Sequence, residues 1–361
     1  MTREPESHFP ADYRRGRDAF VTACEDAALG VITRVHPAAR GADGRPLFID
    51  TARIGPRDAK SALLLISATH GVEGYFGSGV QTGLLRGKLA ERARKGVKIV
   101  LLHALNPFGF SWNRRVNEDN ADVNRNFVDH TNPPANDAYE TLADAIAPKT
   151  IAPRAMQKAN AKLAAYARDH GPFALQEAIS RGQYRHADGL YFGGTRASWS
   201  AEMLKDVFRE ELTNVERLVV VDFHTGLGET GAAEMITEHL PGTPGYATAN
   251  KIWGERVRSS EAGESISAPL SGTIDRAMEK WLKGKELTFA ALEVGTAPLR
   301  QVFDALRKDN WLHVHAKAGH RSARAIKREI RAAFYPDTTE WKRRVWRHAE
   351  ETVMAACAAL S

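Results

Sequence analysis

Apolar and polar residues follow one another along this chain in short apolar runs separated by segments with helical spacing. The runs that begin at Ala62, Val97 and Leu218 are almost wholly apolar, as in strands that are buried on both faces of a sheet. Strand-like runs lie at 47–52, 62–67, 97–105, 218–224, 233–237 and 288–293. Helical patterns lie at 12–29, 77–92 and 248–257, and follow Pro298 to the end of the sequence. This alternation predicts an α/β fold with a mixed, mostly parallel central sheet flanked by helices.

The segment 130–216 interrupts this rhythm. It opens with a turn rich in proline and asparagine, continues with alanine-rich helical patterns, and ends near a Gly/aromatic loop at 188–194. We predict one domain over residues 1–361, with a helical insertion at about 130–216. A basic helical region is expected from about residue 300.

The net charge of the chain is +6, and much of the excess of basic residues lies near the C-terminus. Residues 300–350 hold 13 Lys/Arg against 6 Asp/Glu, which is typical of a solvated helical region or of a face that attracts anionic partners. No nucleic-acid-binding motif accompanies the charge, so we expect no nucleic-acid partner. Two cysteines, Cys24 and Cys357, are too few for a disulfide framework.

Targeting signals do not stand out in the sequence. The first residues show no apolar stretch of the kind found in signal peptides, and no apolar run approaches the ~20 residues of a membrane span. We therefore expect a cytoplasmic protein without a membrane partner. The sequence leaves the oligomeric state open.

Metal-competent side chains follow three of the predicted strands. His70 and Glu73 come just after the run 62–67, His224 ends the run 218–224, and Glu293 ends the run 288–293. Because open α/β sheets place ligands at the carboxyl ends of their strands, these side chains are expected to meet. Catalytic zinc usually takes three protein ligands and keeps one position open, so the pattern indicates a zinc site.

A motif between these strands carries a family resemblance. The stretch 106–127 reads NPFGFSWNRRVNEDNADVNRNF. Together with His-x-x-Glu before it and His and Glu after it, this motif resembles the zinc carboxypeptidase superfamily (funnelins). It is most similar to a bacterial branch of unassigned substrate near the cytosolic carboxypeptidases and the aspartoacylase-like deacylases. The matching motifs span 70–293, and neither 130–216 nor the chain ends contribute to the resemblance.

The resemblance implies a role for each matching residue. His70, Glu73 and His224 would hold one zinc ion, and Glu293 would be the catalytic base that activates the metal-bound water. Arg115 would be the arginine that stabilises the oxyanion. Asn124 and Arg125 would be the pair that binds the substrate carboxylate. Arg114 competes with Arg115 for the first of these roles.

Two further residues leave alternatives open. Asp222, two positions before His224, either orients a ligand imidazole or is a structural aspartate at the strand end. Secreted carboxypeptidases carry a mobile tyrosine between the second ligand histidine and the catalytic glutamate. Tyr246 is the only tyrosine in that interval here. Its flanking residues do not match, and we leave it out of the predicted site.

These residues predict a zinc-dependent hydrolase of the carboxypeptidase type. It would cleave an amide bond next to a carboxylate-bearing residue, by attack of metal-bound water on a small peptide. The alternative is an N-acyl amino acid deacylase of the aspartoacylase or succinylglutamate desuccinylase type, acting on an acylated amino acid. Hypotheses from another class are a non-catalytic protein and a nucleic-acid binder that uses the basic C-terminal region.

Overall fold

A mixed β-sheet forms the centre of the computed structural model, which describes residues 4–87, 89–92 and 96–360. Within these residues the sheet has eight strands, namely Val31–Arg40 (β1), Pro46–Ile54 (β2), Ser61–Ile66 (β3), Val97–His103 (β4), Arg217–Thr225 (β5), Ala233–Thr237 (β6), Val257–Ser259 (β7) and Glu286–Val294 (β8). Their order across the sheet is β1-β2-β4-β3-β5-β8-β6-β7. The pairs β3/β4, β3/β5, β5/β8 and β6/β7 are parallel, and the others are antiparallel. The predicted fold class is confirmed.

Helices cover both faces of the sheet. They are Tyr13–Asp26 (α1), Gly74–Arg86 (α2), Leu89–Arg92 (α3), Pro107–Trp112 (α4), Asp137–Ile146 (α5), Pro153–His170 (α6), Pro172–Ser180 (α7), Trp199–Val207 (α8), Pro244–Trp253 (α9), Ile274–Leu282 (α10), Leu299–Val314 (α11), Ala323–Phe334 (α12) and Thr339–Ala359 (α13). Leu63 and Leu65 of β3 pack with α1, α2 and α13, whereas Leu64 and Ile66 pack with α8 and α10. This alternation follows from the two-residue period of a strand. No described helix is both long and apolar enough to cross a membrane.

The helices of segment 130–216 and those near the C-terminus share a further core. Tyr139 and Leu163 belong to it from the first group, and Val302 and Phe334 from the second. All four side chains are buried. The residues between β4 and β5 therefore pack against α11 and α12.

The parallel strands β3, β5 and β8 lie side by side and end at the same edge. Ile66 of β3 pairs with Asp222, and His224 pairs with Glu293 across β5 and β8. This register explains why residues more than 150 positions apart meet at one place.

Several elements differ from the predicted ones. The helix expected at 77–92 begins at Gly74 and ends at Arg86, and residues 88 and 93–95 lie outside the described part of the chain. The helix expected at 248–257 begins at Pro244, because Thr243 accepts a hydrogen bond from the Tyr246 amide as an N-cap. The elements β1, β7 and α10 were not predicted.

Candidate metal and active site

A glycine-dependent turn presents the first two candidate ligands. After β3, a single 3₁₀ turn covers Gly71–Glu73. The amide of Gly71 donates to the carbonyl oxygen of Arg115 over 3.0 Å. A Cβ at Gly71 would lie only 2.0 Å from the carbonyl carbon of Gly109, so no larger residue fits without a shift of the backbone. The turn is therefore fixed against the segment that carries Arg115.

His70, Glu73 and His224 converge in the structure. Nδ1 of His70 lies 3.0 Å from Oε1 of Glu73, and Nδ1 of His224 lies 3.0 Å from Oε2 of Glu73. The two Nδ1 atoms are 3.2 Å apart. Donors bound at ~2.0–2.1 Å to one tetrahedral ion are about 3.3 Å apart, so these separations fit a single zinc ion. All three side chains are buried. The structure brings the predicted ligands together, while their metal-binding role stays a prediction.

Each imidazole has a carboxylate beside its outer nitrogen. Nε2 of His70 lies 3.1 Å from Asp122, and Nε2 of His224 lies 2.9 Å from Asp222. At His224 such a carboxylate holds the proton on Nε2 and leaves Nδ1 free to bind a metal. At His70, Nη2 of Arg115 also lies 2.8 Å from Nε2 and competes with Asp122 for that nitrogen. The orienting hypothesis for Asp222 therefore fits the geometry. Asp122 was missed, although it stands two residues before Asn124 in the motif that carried the resemblance.

Negative charge exceeds positive charge around the triad once the imidazoles are neutral, as metal binding requires. Glu73, Asp122 and Asp222 then face Arg115 and Arg125, which gives a net charge of −1, and Glu293 adds a further negative charge only above its raised pKa. Burial alone would raise the pKa of Glu73, but His70 and His224 outweigh it and hold that pKa well below its usual range. Two imidazole nitrogens and a carboxylate oxygen are a donor set that zinc takes in catalytic sites.

Glu293 lies beside the triad on the neighbouring strand. Its side chain is buried, and its Oε1 accepts a hydrogen bond of 2.8 Å from the amide of Leu227. Burial, aided by the charge of Glu73, raises the pKa of Glu293 to about 8. A carboxyl group tuned in this direction can take up and return a proton near neutral pH.

The structure distinguishes between the two adjacent arginines. Arg115 lines the cavity at the triad, where its Nε donates to Asp122 over 2.9 Å and its Nη1 to Glu73 over 3.2 Å. Arg114 instead donates to Asp309 and Asn120 in the interior. Arg115 is thus the arginine that can reach a bound substrate.

Asn124 and Arg125 line the same cavity, but much of their bonding capacity is used inside the protein. Arg125 donates through Nε and Nη2 to the carbonyl oxygen of Ser180 and through Nη1 to that of Asn124. Three of its five N–H groups are therefore engaged. Oδ1 of Asn124 accepts from the amide of Ile274 over 3.0 Å. Both residues brace the neighbouring helices, and their contact with a substrate carboxylate stays a prediction.

A tyrosine that the sequence did not single out lies at the site. Tyr191 lines the cavity, with the guanidinium carbons of Arg115 and Arg125 at 5.1 and 5.8 Å from its ring centroid. Its φ of +53° is uncommon for a residue with a side chain, and such conformations cluster at functional sites. Tyr246, by contrast, donates to Glu264 and is not among the residues that line this cavity.

The cavity extends well beyond the triad. Its volume is about 830 Å³, and its walls come from the sheet edge, the segment 130–216 and the first turns of α11. The polar groups named above cluster around the triad. Most of the other lining side chains are apolar.

Comparison with known proteins places the chain in a family. Residues 9–348 match the family model described as "Protein of unknown function (DUF2817)". The chain belongs to this family. No curated protein matches this DUF2817 member.

Solved structures similar to the DUF2817 chain include metallocarboxypeptidases and an aspartoacylase family protein. Carboxypeptidase A from Helicoverpa armigera is 11% identical over 90% of this chain and 74% of its own, with a TM-score of 0.47. The aspartoacylase family protein from Mesorhizobium loti is 16% identical over 81% and 68%, with a TM-score of 0.38. Metallo-carboxypeptidase from Burkholderia cenocepacia is 12% identical over 95% and 70%, with a TM-score of 0.44. At these scores and identities, the similarity does not identify the chemistry of this chain.

Proposed function

We propose that this protein is a zinc-dependent hydrolase of the carboxypeptidase type. It would cleave an amide bond next to a carboxylate-bearing residue. The observation that supports this most directly is the convergence of His70, Glu73 and His224, with donor atoms 3.0–3.2 Å apart, beside Glu293. When bound to these three residues, zinc would supply Lewis acidity and lower the pKa of water.

Glu293 is the proposed proton carrier. Its carboxylate would accept the proton of the attacking water and deliver it to the nitrogen of the leaving amine. Its pKa of about 8 in the metal-free protein places the proton affinity near the operating range of a general base. The amide of Leu227 donates its hydrogen bond to Oε1 and not to Oε2, and this bond restrains the orientation of the carboxyl group.

Arg115 is the proposed stabiliser of negative charge on the scissile carbonyl oxygen. Asp122 accepts from its Nε, which fixes the guanidinium plane at the edge of the triad. Preorganised donors of this kind contribute about 10²–10³ in turnover. The N–H groups of Arg125 that are not bonded to carbonyl oxygens, together with Asn124, are proposed to bind the substrate carboxylate, for which a planar guanidinium is well suited.

An N-acyl amino acid deacylase is the second candidate, and the cavity favours it. The same groups would cleave an amide between an acyl group and an amino acid. The volume of about 830 Å³ with largely apolar walls would accommodate an acyl group without burying further peptide bonds.

The substitution Glu293→Gln tests the proposal. The variant should keep close to one zinc per chain, measured by elemental analysis, because Glu293 is not among the ligands. Hydrolysis of short peptides and N-acyl amino acids, followed by amine release, should fall by about 10²–10⁴. Glu286→Gln, at the exposed other end of β8, is the matched control and should keep full activity. Wild-type turnover in the Glu293 variant would contradict the assignment.

A further inference from the structure

The cavity beside the triad points to the class of substrate. We propose that it binds the acyl chain of an N-acyl amino acid whose acyl group is long. This inference rests on the second proposed function, the N-acyl amino acid deacylase, and specifies the acyl group that the enzyme would release. The size of the cavity, the chemistry of its walls and the exposure of its mouth support this substrate class.

The cavity is large for a single amino-acid residue. Small-molecule pockets range over ~300–1,000 Å³, and the value of about 830 Å³ lies in the upper part of that range. Away from the triad its walls are formed by aliphatic and aromatic side chains of α6, α7 and α11, among them Leu163, Leu175, Ile179, Val302, Phe303 and Leu306. Such walls favour a ligand with extended apolar surface.

The mouth of the cavity carries exposed apolar side chains beside one charged residue, Arg300, whose side chain is 79% exposed. Phe173 and Leu299 line it with relative exposures of 45% and 53%. Ile266 is 39% exposed, and its carbonyl oxygen accepts a hydrogen bond from Gln176, another lining residue. Large apolar side chains exposed together often mark a ligand-binding groove. Apolar side chains thus line the cavity up to its opening to solvent. An acyl chain longer than the cavity could therefore extend outward along them.

Apart from Arg300, whose Nε lies 3.9 Å from Asp304 at the mouth, polar groups on the apolar walls are engaged within the protein. Asn160 accepts a hydrogen bond of 2.7 Å from Arg307, and Asp304 accepts one of 3.3 Å from the same guanidinium. Gln176 donates to Ile266. The peptide groups of a long peptide in this region would meet few polar groups on these walls, and each one left without a partner costs affinity. A methylene chain makes no such demand, and so an acyl chain fits better than a polypeptide.

The polar end of the cavity complements the head of the same molecule. Arg115, Asn124 and Arg125 lie with the metal-ligand triad at that end. An N-acyl amino acid has one amide and one carboxylate at one end and an apolar tail at the other. Its polarity therefore matches that of the cavity along its length.

Chain-length dependence of hydrolysis is the main test. With zinc-loaded enzyme and N-acetyl-, N-hexanoyl- and N-decanoyl-alanine, kcat/KM should rise by up to about fourfold per methylene, the equivalent of ~0.8 kcal/mol, while the chain stays inside the cavity. An overall rise of about 100-fold or more from acetyl to decanoyl would support the proposal. Equal values for the three substrates, or faster cleavage of an alanine tetrapeptide than of the decanoyl compound, would overturn it.

Binding separates this inference from the proposed function. Calorimetry with the Glu293→Gln protein measures affinity for the same three compounds without hydrolysis. If no compound is hydrolysed by the wild type but affinity rises with chain length, the acyl site stands and the hydrolase proposal fails. If affinity does not change with chain length, the acyl site is refuted whatever the activity.

A pair of double variants at exposed positions completes the test. Replacing Phe173 and Leu299 by serine should lower the ratio of kcat/KM for decanoyl- over acetyl-alanine by about tenfold, because apolar contact at the mouth is lost. Ile32 and Val35, exposed to 47% and 54% on β1, are the matched control, and their replacement by serine should leave the ratio unchanged. The same ratio in both double variants would contradict the proposal.

Discussion

Replacing Asp222 by asparagine should weaken zinc binding without removing a ligand. The carboxylate of Asp222 is fully buried, accepts hydrogen bonds of 2.8 and 2.9 Å from the Thr69 hydroxyl, and lies 2.9 Å from Nε2 of His224. If the asparagine oxygen keeps the bond from Thr69, its amide N–H faces Nε2. That contact favours the tautomer of His224 with the proton on Nδ1, which cannot bind a metal.

The expected size of the effect follows from two relations. Loss of an orienting carboxylate typically costs 10–100-fold in metal affinity, which is about 1.4–2.7 kcal/mol. At a free zinc concentration of ~1,000 times the wild-type Kd, binding stabilises the wild type by about 4 kcal/mol. A variant with a Kd about 30-fold higher would gain only about 2 kcal/mol under the same conditions.

These energies correspond to measurable shifts in melting temperature. At ~2.1 cal/mol/K per residue, the unfolding entropy of the 361-residue chain is about 0.76 kcal/mol/K. Zinc should therefore raise the Tm of the wild type by about 5 °C and that of Asp222→Asn by about 3 °C. Competition with a chromophoric chelator gives the two Kd values directly.

A matched control separates loss of zinc affinity from loss of stability. Asp50 is also fully buried and is paired with Arg17 at 2.7 Å, but it is not among the residues that line the cavity. Asp50→Asn should lower the Tm of the metal-free protein and leave the Kd for zinc unchanged. An unchanged Kd in Asp222→Asn, with the fold intact by circular dichroism, would refute the orienting role.

Three further predictions concern the other site residues. His70→Ala should reduce bound zinc well below one per chain in elemental analysis, and unchanged zinc would refute the ligand set. Arg115→Ala should lower kcat by about 10²–10³ while zinc content stays near that of the wild type; a normal kcat would exclude the oxyanion role. Burial raises the pKa of Glu293 to about 8 in the folded protein. The metal-free wild type should therefore lose stability as the pH rises from 5 to 9, because the folded state holds a proton on Glu293 that the unfolded state has already released. Glu293→Gln should therefore be more stable than wild type at pH 9 by roughly 2–4 kcal/mol and similar at pH 5, as urea denaturation would show.

The convergence of the candidate metal ligands was predictable because its signals are local. The apolar runs at β3, β5 and β8 mark buried strands, and the rule that ligands lie at the carboxyl ends of such strands brings the residues after them together. His224 and Glu293 are the clearest case, since they pair directly across two strands. Nothing beyond strand periodicity and the identity of the terminal residue was needed to expect their proximity.

The surroundings of the site depend on contacts that no local sequence pattern predicts. Arg125 donates to the carbonyl oxygen of Ser180, 55 positions away, and no local pattern predicts that pairing. Asp122 received no role because its partners, His70 and Arg115, become neighbours only after folding. The edge strand β1 was missed for a different reason, since its polar and half-exposed residues lack the apolar alternation of a buried strand.

The segments that determine chemistry and those that shape the cavity are separate in this chain. The triad and Glu293 lie on or just after the strands β3, β5 and β8, whereas the apolar walls come from α6, α7 and α11. Helices α5 to α7 pack with α11 and α12 in a further core, which also contains Val72 from the turn between His70 and Glu73. Substitutions at the positions of α6, α7 and α11 that line the cavity would change its volume most directly. For this reason the motif order predicts the reaction type, while the substrate has to be inferred from the shape and polarity of the cavity that these helices enclose.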